Sequence, residues 1–106
     1  MRSIEFEILL SLAAATRHGY ALIRDIEARA EGEVSVETGT LYRALQRLVE
    51  QELVAPTEPR RADSDDERRR YYAITPAGRR AAAAEARRMA RLVDGARAAR
   101  LIPERA

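Results

Sequence analysis

The C-terminal quarter of the chain carries one helical pattern that is too long for a domain of this size to bury. Thr75 is a capping residue, Pro76 follows at the position that proline favours in a first turn, and Ala81 to Ala84 are strong helix formers. The pattern predicts a helix over 76–100. Such a helix is about 37 Å long, whereas a compact domain of 106 residues has a radius of gyration of about 13 Å. We therefore expect the helix to overhang its own domain.

The apolar residues of this helix recur at spacings of three and four, close to the seam of a coiled coil. The stripe is narrow, and arginines flank it. The same helix, or the first helix, of a second chain could cover it, which predicts a two-fold homodimer. The alternative is an Ala-rich helix that folds back on its own core. The predicted dimer interface comprises Met89, Leu92, Val93, Ala96 and Ala99.

Shorter helices are predicted before this long one, because apolar residues recur there every three or four positions. Ser3 and Thr38 are expected to cap two of them. Gly32 stands where a left-handed residue would end another. The predicted helices cover 4–15, 19–30 and 39–51.

The hydrophobic period changes after the third helix. Residues 53–55 form a short apolar segment ended by Pro56, and residues 71–74 form a second. Between them, 57–70 is polar and rich in turn formers, so the pair is typical of a hairpin. A plain helical bundle is disfavoured by the Tyr-Tyr-Ala-Ile segment at 71–74.

Together these elements predict a mainly α (α+β) fold: a winged helix-turn-helix with a two-stranded wing and a long C-terminal dimerisation helix. Helices two and three form the turn motif, and the hairpin is the wing. We expect residues 1–75 to be the DNA-binding domain and residues 76–106 to be the dimerisation helix.

The inventory of reactive side chains argues against catalysis. The chain has one His and no Cys, no Gly-rich phosphate loop and no carboxylate–His spacing that would bind a metal. We therefore expect neither an enzyme nor a cofactor or metal site. The apolar runs fall far short of the roughly 20 residues that span a bilayer. Glu5 and Glu7 stand where a secretory leader would be basic, so we expect a cytoplasmic protein with no membrane partner.

Positive charge is concentrated in the second half of the chain. Residues 1–56 hold six Arg against nine acids, and residues 57–106 hold thirteen Arg against eight acids. All nineteen basic residues are Arg, whose planar guanidinium suits phosphate and guanine. This is a minor indication of a nucleic-acid partner.

Three stretches resemble the PadR family of bacterial transcriptional regulators: HGYALI at 18–23, TGTLYRALQRL at 38–48 and RRYYAITPAGR at 69–79. The resemblance implies a winged-helix repressor that binds palindromic promoter DNA as a homodimer. A single helix after Gly78 is similar to the short subfamily, in which that helix dimerises. Members often release DNA when a small molecule binds, which implies an unidentified effector.

The chain departs from the family pattern at two positions. Arg43 stands where members often have Pro, which adds a candidate DNA contact. Glu52 stands where members often have Gly at the end of helix three. A left-handed residue other than Gly costs on the order of 1 kcal/mol, so we expect this helix to end differently.

The third helix is the predicted reading element, since its polar face lies opposite the leucines expected in the core. Arg43, Gln46 and Arg47 are candidates for base contacts, because Arg matches guanine and Gln matches adenine. Thr40 and Tyr42 suit phosphate. The alternative for the two arginines is an ion pair with an acid such as Glu50 on a solvated face.

The wing supplies a second set of candidate contacts. Its tip is electrically balanced, with five Arg and five acids over 58–70, so a self-paired loop is the alternative. Arginines that approach and leave the tip could reach a minor groove or phosphate. The wing candidates are Arg60, Arg61, Arg68 and Arg69.

Other readings of the same pattern stay open. The Asp-rich tip and the Thr75–Gly78 segment also resemble the wing of MarR-type regulators, but those lack the Gly-Thr-Leu-Tyr motif at 39–42. A winged-helix adaptor that contacts another protein is the alternative of a different class. RNA binding is disfavoured because stacking aromatics are scarce, with one Phe, four Tyr and no Trp.

Overall fold

The computed structural model describes residues 1–57 and 70–103. Helices form most of this part of the chain, and short strands build a small sheet. In chain order the elements are α1 (Ser3–Ala14), β1 (Arg17–His18), α2 (Gly19–Arg29), α3 (Thr38–Glu50), β2 (Val54–Thr57), β3 (Tyr71–Ile74) and α4 (Pro76–Ala98). The predicted winged helix-turn-helix is confirmed.

Helix α1 lies at the centre of the fold. It contacts α2, α3, α4 and β3. Its side chains Ile8, Leu9 and Leu12 are buried, because apolar residues at these spacings share one face of a helix. They meet the buried faces of α2 and α3 and the start of β2, which contribute Leu22, Ile26, Leu41, Ala44, Leu45, Leu48 and Val54.

The sheet is antiparallel, and its strand order is β1-β3-β2. The two predicted strands pair with each other, Val54 opposite Ile74 and Thr57 opposite Tyr71. Arg17 and His18 add a third strand beside β3, which the sequence did not predict. Two residues are too few to show a strand period.

The sequence predicted that Pro56 ends its strand, and this was wrong. Pro56 lies within β2, opposite Tyr72. Because β2 is at the edge of the sheet, a residue without a backbone N–H is tolerated there. The strand therefore continues to Thr57.

The start of α4 matches the prediction. Thr75 Oγ1 accepts a hydrogen bond of 2.9 Å from the Gly78 backbone N–H, and Pro76 is the first helical residue. The predicted caps Ser3 and Thr38 were wrong, because each is the first residue of its helix rather than the residue before it. At α1 the Arg2 backbone N–H donates instead to Glu5 Oε1, at 3.2 Å.

Gly78 allows the start of α4 to pack closely against the strands of the wing. It is buried in the first turn of the helix. A Cβ at this position would overlap the Leu53 carbonyl oxygen and would lie 2.8 Å from Cγ1 of Ile74. Only a glycine lets the helix approach the backbone this closely.

Helix α4 projects from the rest of the chain, as predicted. The molecule measures 52 × 29 × 23 Å, and its radius of gyration is 15.6 Å, above the value of about 13 Å for a compact domain of this size. The helix ends at Ala98, two residues before the predicted end. None of the helices in the described ranges has the length and apolar character needed to cross a membrane.

The end of α3 overturns the expectation about Glu52. Glu52 adopts a left-handed φ of 62°. The Leu53 N–H donates to Leu48 O at 2.9 Å and the Glu52 N–H donates to Val49 O at 3.0 Å, which is a Schellman motif. The same arrangement ends α2 at Glu31 and α4 at Arg100, with φ values of 55° and 63°. Gly32, the predicted cap, follows Glu31 and also has a positive φ, 80°.

We expect Glu52→Gly to raise the free energy of unfolding by about 1 kcal/mol, because glycine adopts the left-handed conformation without a Cβ penalty. Urea denaturation at fixed protein concentration measures it. The control is Glu50→Gly at the last residue of the helix, which should lower stability by up to about 1 kcal/mol. If both substitutions lower stability, the left-handed conformation of Glu52 is not strained.

Candidate nucleic-acid interface

The polar face of α3 is directed to solvent. Leu41, Ala44, Leu45 and Leu48 bury one side of the helix, and the arc opposite them lies outside the core. On that arc Arg43 and Gln46 are exposed and Thr40 is half-buried. The helix therefore presents a charged and hydrogen-bonding surface of the size that a major groove admits.

Arg43 folds back along α3 towards the start of the helix. Its Nη2 donates to Thr40 Oγ1 at 3.3 Å, and a Cβ on Gly39 would lie 3.1 Å from its Nη1. This direction is the one that long side chains prefer in helices. Thr40 and Arg43 thus form one polar unit in the first two turns of α3.

Tyr42 connects α3 to the first turn of α2. Its ring is packed against Gly19, so closely that a Cβ on Gly19 would overlap the Tyr42 hydroxyl. Gly19 is buried, whereas Tyr42 remains 44% exposed. The absent side chain at position 19 therefore lets the two helices of the turn motif meet while Tyr42 keeps a solvent-facing side.

Arg47 is held differently from Arg43. Its Nε donates to Oε2 of Glu5 in α1 at 2.7 Å, and its side chain is 31% exposed. Its carboxylate partner is therefore Glu5 rather than Glu50, the acid that the sequence suggested. Forty-two positions separate the two residues, so no local pattern could reveal the pair. The one indication in the sequence was that Glu5 lies on the apolar side of α1, where a buried acid needs a partner.

The start of α2 adds an exposed aromatic surface. His18 Nδ1 accepts a hydrogen bond of 3.1 Å from the Ala21 backbone N–H, so His18 caps the helix. Its ring is stacked with Tyr20 at 6.5 Å and meets Tyr71 edge-on at 5.3 Å. Tyr20 is 59% exposed and lies under the Arg24 guanidinium at 5.8 Å. Tyr20 is therefore a surface residue.

The predicted wing contacts Arg60, Arg61, Arg68 and Arg69 lie outside the described residues. The strands that lead to them are described. Thr57 is paired with Tyr71, so the chain leaves and re-enters the sheet at neighbouring points.

The predicted dimer stripe stays uncovered in a single chain. Leu92 is 60% exposed and Val93 is 39% exposed. Met89 and Ala96 are half-buried, and Ala99 is exposed. Beyond the helix, Leu101 is 77% exposed and Ile102 is 38% exposed.

Comparison with known proteins places the fold among transcriptional regulators. The profile of the transcriptional regulator PadR-like family matches residues 8–84. A PadR family transcription regulator from Clostridium difficile R20291 superposes with a TM-score of 0.77 at 22% identity, over 91% of this chain and 96% of that one. RosR from H. salinarum superposes with a TM-score of 0.68 at 28% identity, over 84% of this chain and 74% of that one.

A similar sequence also occurs in a longer protein. An uncharacterized protein in a transposon of Streptomyces fradiae is 39% identical over 85 residues. The match covers 80% of this chain but 22% of that protein.

We expect Gly19→Ala to lower the free energy of unfolding by about 1–3 kcal/mol, because its methyl group would displace Tyr42. Thermal or urea unfolding measures the effect. Gly39→Ala is the matched control, since its methyl group meets only the flexible end of Arg43. In combination with Tyr42→Ala, Gly19→Ala should cost less than it does alone; additive losses would contradict the steric argument.

Proposed function

Because this chain belongs to the PadR-like family of transcriptional regulators, we propose that it is a repressor that binds a palindromic promoter site as a homodimer. The observation that carries the proposal is the exposed polar face of α3, where Arg43 and Gln46 lie opposite the buried leucines. Family membership makes the chain a DNA-binding regulator. Repression, the palindrome and the dimer are the added steps.

In this proposal α3 enters a major groove. Arg43 donates to guanine and Gln46 contacts adenine, the pairings that their donor and acceptor geometry favours. Thr40 and Tyr42 contact phosphates beside them. Arg47 contributes through its Nη groups, because its Nε is engaged by Glu5.

The wing is proposed to contact the adjoining backbone or minor groove through Arg60, Arg61, Arg68 and Arg69. The support is their place in the sequence, between strands β2 and β3. A small-molecule effector enters the proposal only as what the family resemblance implies.

The homodimer is proposed from the uncovered stripe on α4. In water an exposed run of Leu, Val and Met is unfavourable, and burying each large side chain contributes about 1.5–3 kcal/mol. A second α4 related by a two-fold axis would cover the same residues on both subunits. Residues 76–106 then act as the dimerisation helix, residues 1–75 act as the DNA-binding domain, and the half-sites lie about 34 Å apart or a multiple of that.

Arg43→Ala should weaken binding to the operator by about 1–3 kcal/mol and relax the preference for one base pair per half-site. Footprinting on the region upstream of its own gene locates the operator, and fluorescence anisotropy then compares that operator with random-sequence duplex. The control Arg88→Ala removes the same charge from α4, where Arg88 is bonded to Glu85 at 2.6 Å.

Equal losses for the two variants, or equal losses on operator and random DNA, would remove Arg43 from base reading. A wild-type protein that ignores every duplex at low ionic strength would overturn the regulator proposal and favour the adaptor.

Leu92→Glu should convert the dimer to monomers at micromolar concentration, because two-fold symmetry places both new carboxylates in one apolar contact. Sedimentation equilibrium measures the change. Ala98→Glu is the control, since Ala98 is exposed and lies half a turn round α4 from Met89. A folded wild-type monomer, or dissociation by both variants alike, would contradict the proposed interface.

A further inference from the structure

Glu5 is an unusual acid for its position. It is 6% exposed, and Ser11 is the other buried polar residue in the described ranges. Both carboxylate oxygens are engaged: Oε2 accepts from Arg47 Nε at 2.7 Å and Oε1 accepts from the Arg2 backbone N–H at 3.2 Å. A buried carboxylate thus joins the first turn of α1 to the last turn of α3.

The pair is charged. Burial of Glu5 opposes ionisation and raises the pKa of its carboxyl, but the hydrogen bonds from Arg47 and Arg2 and the charges of both arginines outweigh burial and lower that pKa below its ordinary value. At neutral pH the negative charge of Glu5 therefore compensates the positive charge of Arg47. Arg43 differs, because the ion pairs among the described residues include Arg47 but not Arg43.

The ion pair also constrains the direction of the Arg47 guanidinium. An arginine whose Nε is bound keeps its two Nη groups as an end-on fork, the part of the side chain that matches guanine. The backbone of α1 and the packing of α3 fix both ends of this arrangement. Arg47 can therefore offer directed N–H groups while carrying little uncompensated charge.

We propose that Glu5 is a positioning residue that determines specificity: it orients Arg47 towards bases and cancels the charge with which Arg47 would hold any phosphate. The inference rests on the proposed function, because it assumes that α3 reads DNA. Non-specific binding depends on the number of phosphates that are neutralised. Discrimination is a difference between two affinities, so a lower affinity for random DNA raises the discrimination in favour of the operator.

Glu5→Gln tests this inference, because the amide oxygen still accepts from Arg47 Nε but the compensating charge is gone. On random-sequence duplex the slope of log K against log salt should steepen by about 0.9 per subunit, the value for one more neutralised phosphate. The ratio of operator to random affinity should fall. A substitution that only loosened the fold would weaken binding without steepening this slope.

Glu7→Gln is the matched control. It makes the same charge change in the same helix and removes the negative charge beside Arg29, which Glu7 binds at 2.6 Å. Arg29 remains paired with Asp25 at 3.2 Å. The slope of log K against log salt for Glu7→Gln should therefore stay at the wild-type value. The double variant Glu5→Gln/Arg47→Gln should also return to the wild-type slope, because the effect acts through Arg47.

Circular dichroism melting verifies that each variant folds. If Glu5→Gln is unfolded, Arg47→Gln decides: an unchanged random-DNA slope supports the inference, and a loss of about 0.9 per subunit overturns it. An unchanged slope for folded Glu5→Gln, or equal steepening by Glu7→Gln, also overturns it while leaving the proposed function intact. If the wild-type protein binds no duplex at all, the proposed function fails and this inference fails with it.

Discussion

Burial of α1 is the interaction on which the rest of the structure depends. Ile8, Leu9 and Leu12 lie inside the fold, and the helix contacts α2, α3, α4 and β3. At about 1.5–3 kcal/mol for each buried aliphatic side chain, these three residues account for a large part of the marginal stability of a small domain. The turn motif and the sheet are held in one orientation because both pack on this helix. The polar face of α3 is exposed because its leucines are committed to α1.

Most helices were predictable because their apolar residues repeat at the helical period over several turns. The predicted α2 and α4 differ from the observed helices only at their ends, and the Thr75–Pro76 start was confirmed by its hydrogen bond to Gly78. Short or non-local features were missed. Strand β1 exists only because β3 lies beside it. The left-handed Glu52 carries a local penalty of about 1 kcal/mol and is accompanied by the hydrogen bonds of a Schellman motif at the end of α3.

The candidate site divides in the same way. Helical spacing was sufficient to place Arg43 and Gln46 on the exposed arc of α3. It could not distinguish Arg43 from Arg47, because that difference arises from a carboxylate forty-two positions away. Nor could it show that Tyr42 needs a glycine at position 19, since close approach between helices is a tertiary property. Among the described residues no buried side-chain N or O atom lacks a hydrogen-bond partner.

The close packing at Gly78 would have a geometric consequence for the proposed homodimer. Helix α4 has 23 residues and is about 34 Å long. It packs on α1 and approaches the Leu53 backbone closely at Gly78. Tilting it by about 10° at that point would swing its far end by about 6 Å. If two such helices are clasped along their outer halves, the angle at each base sets how far apart the two copies of α3 stand. In that proposed dimer, the angle set by the packing of Gly78 would determine the distance between the two half-sites that can be bound.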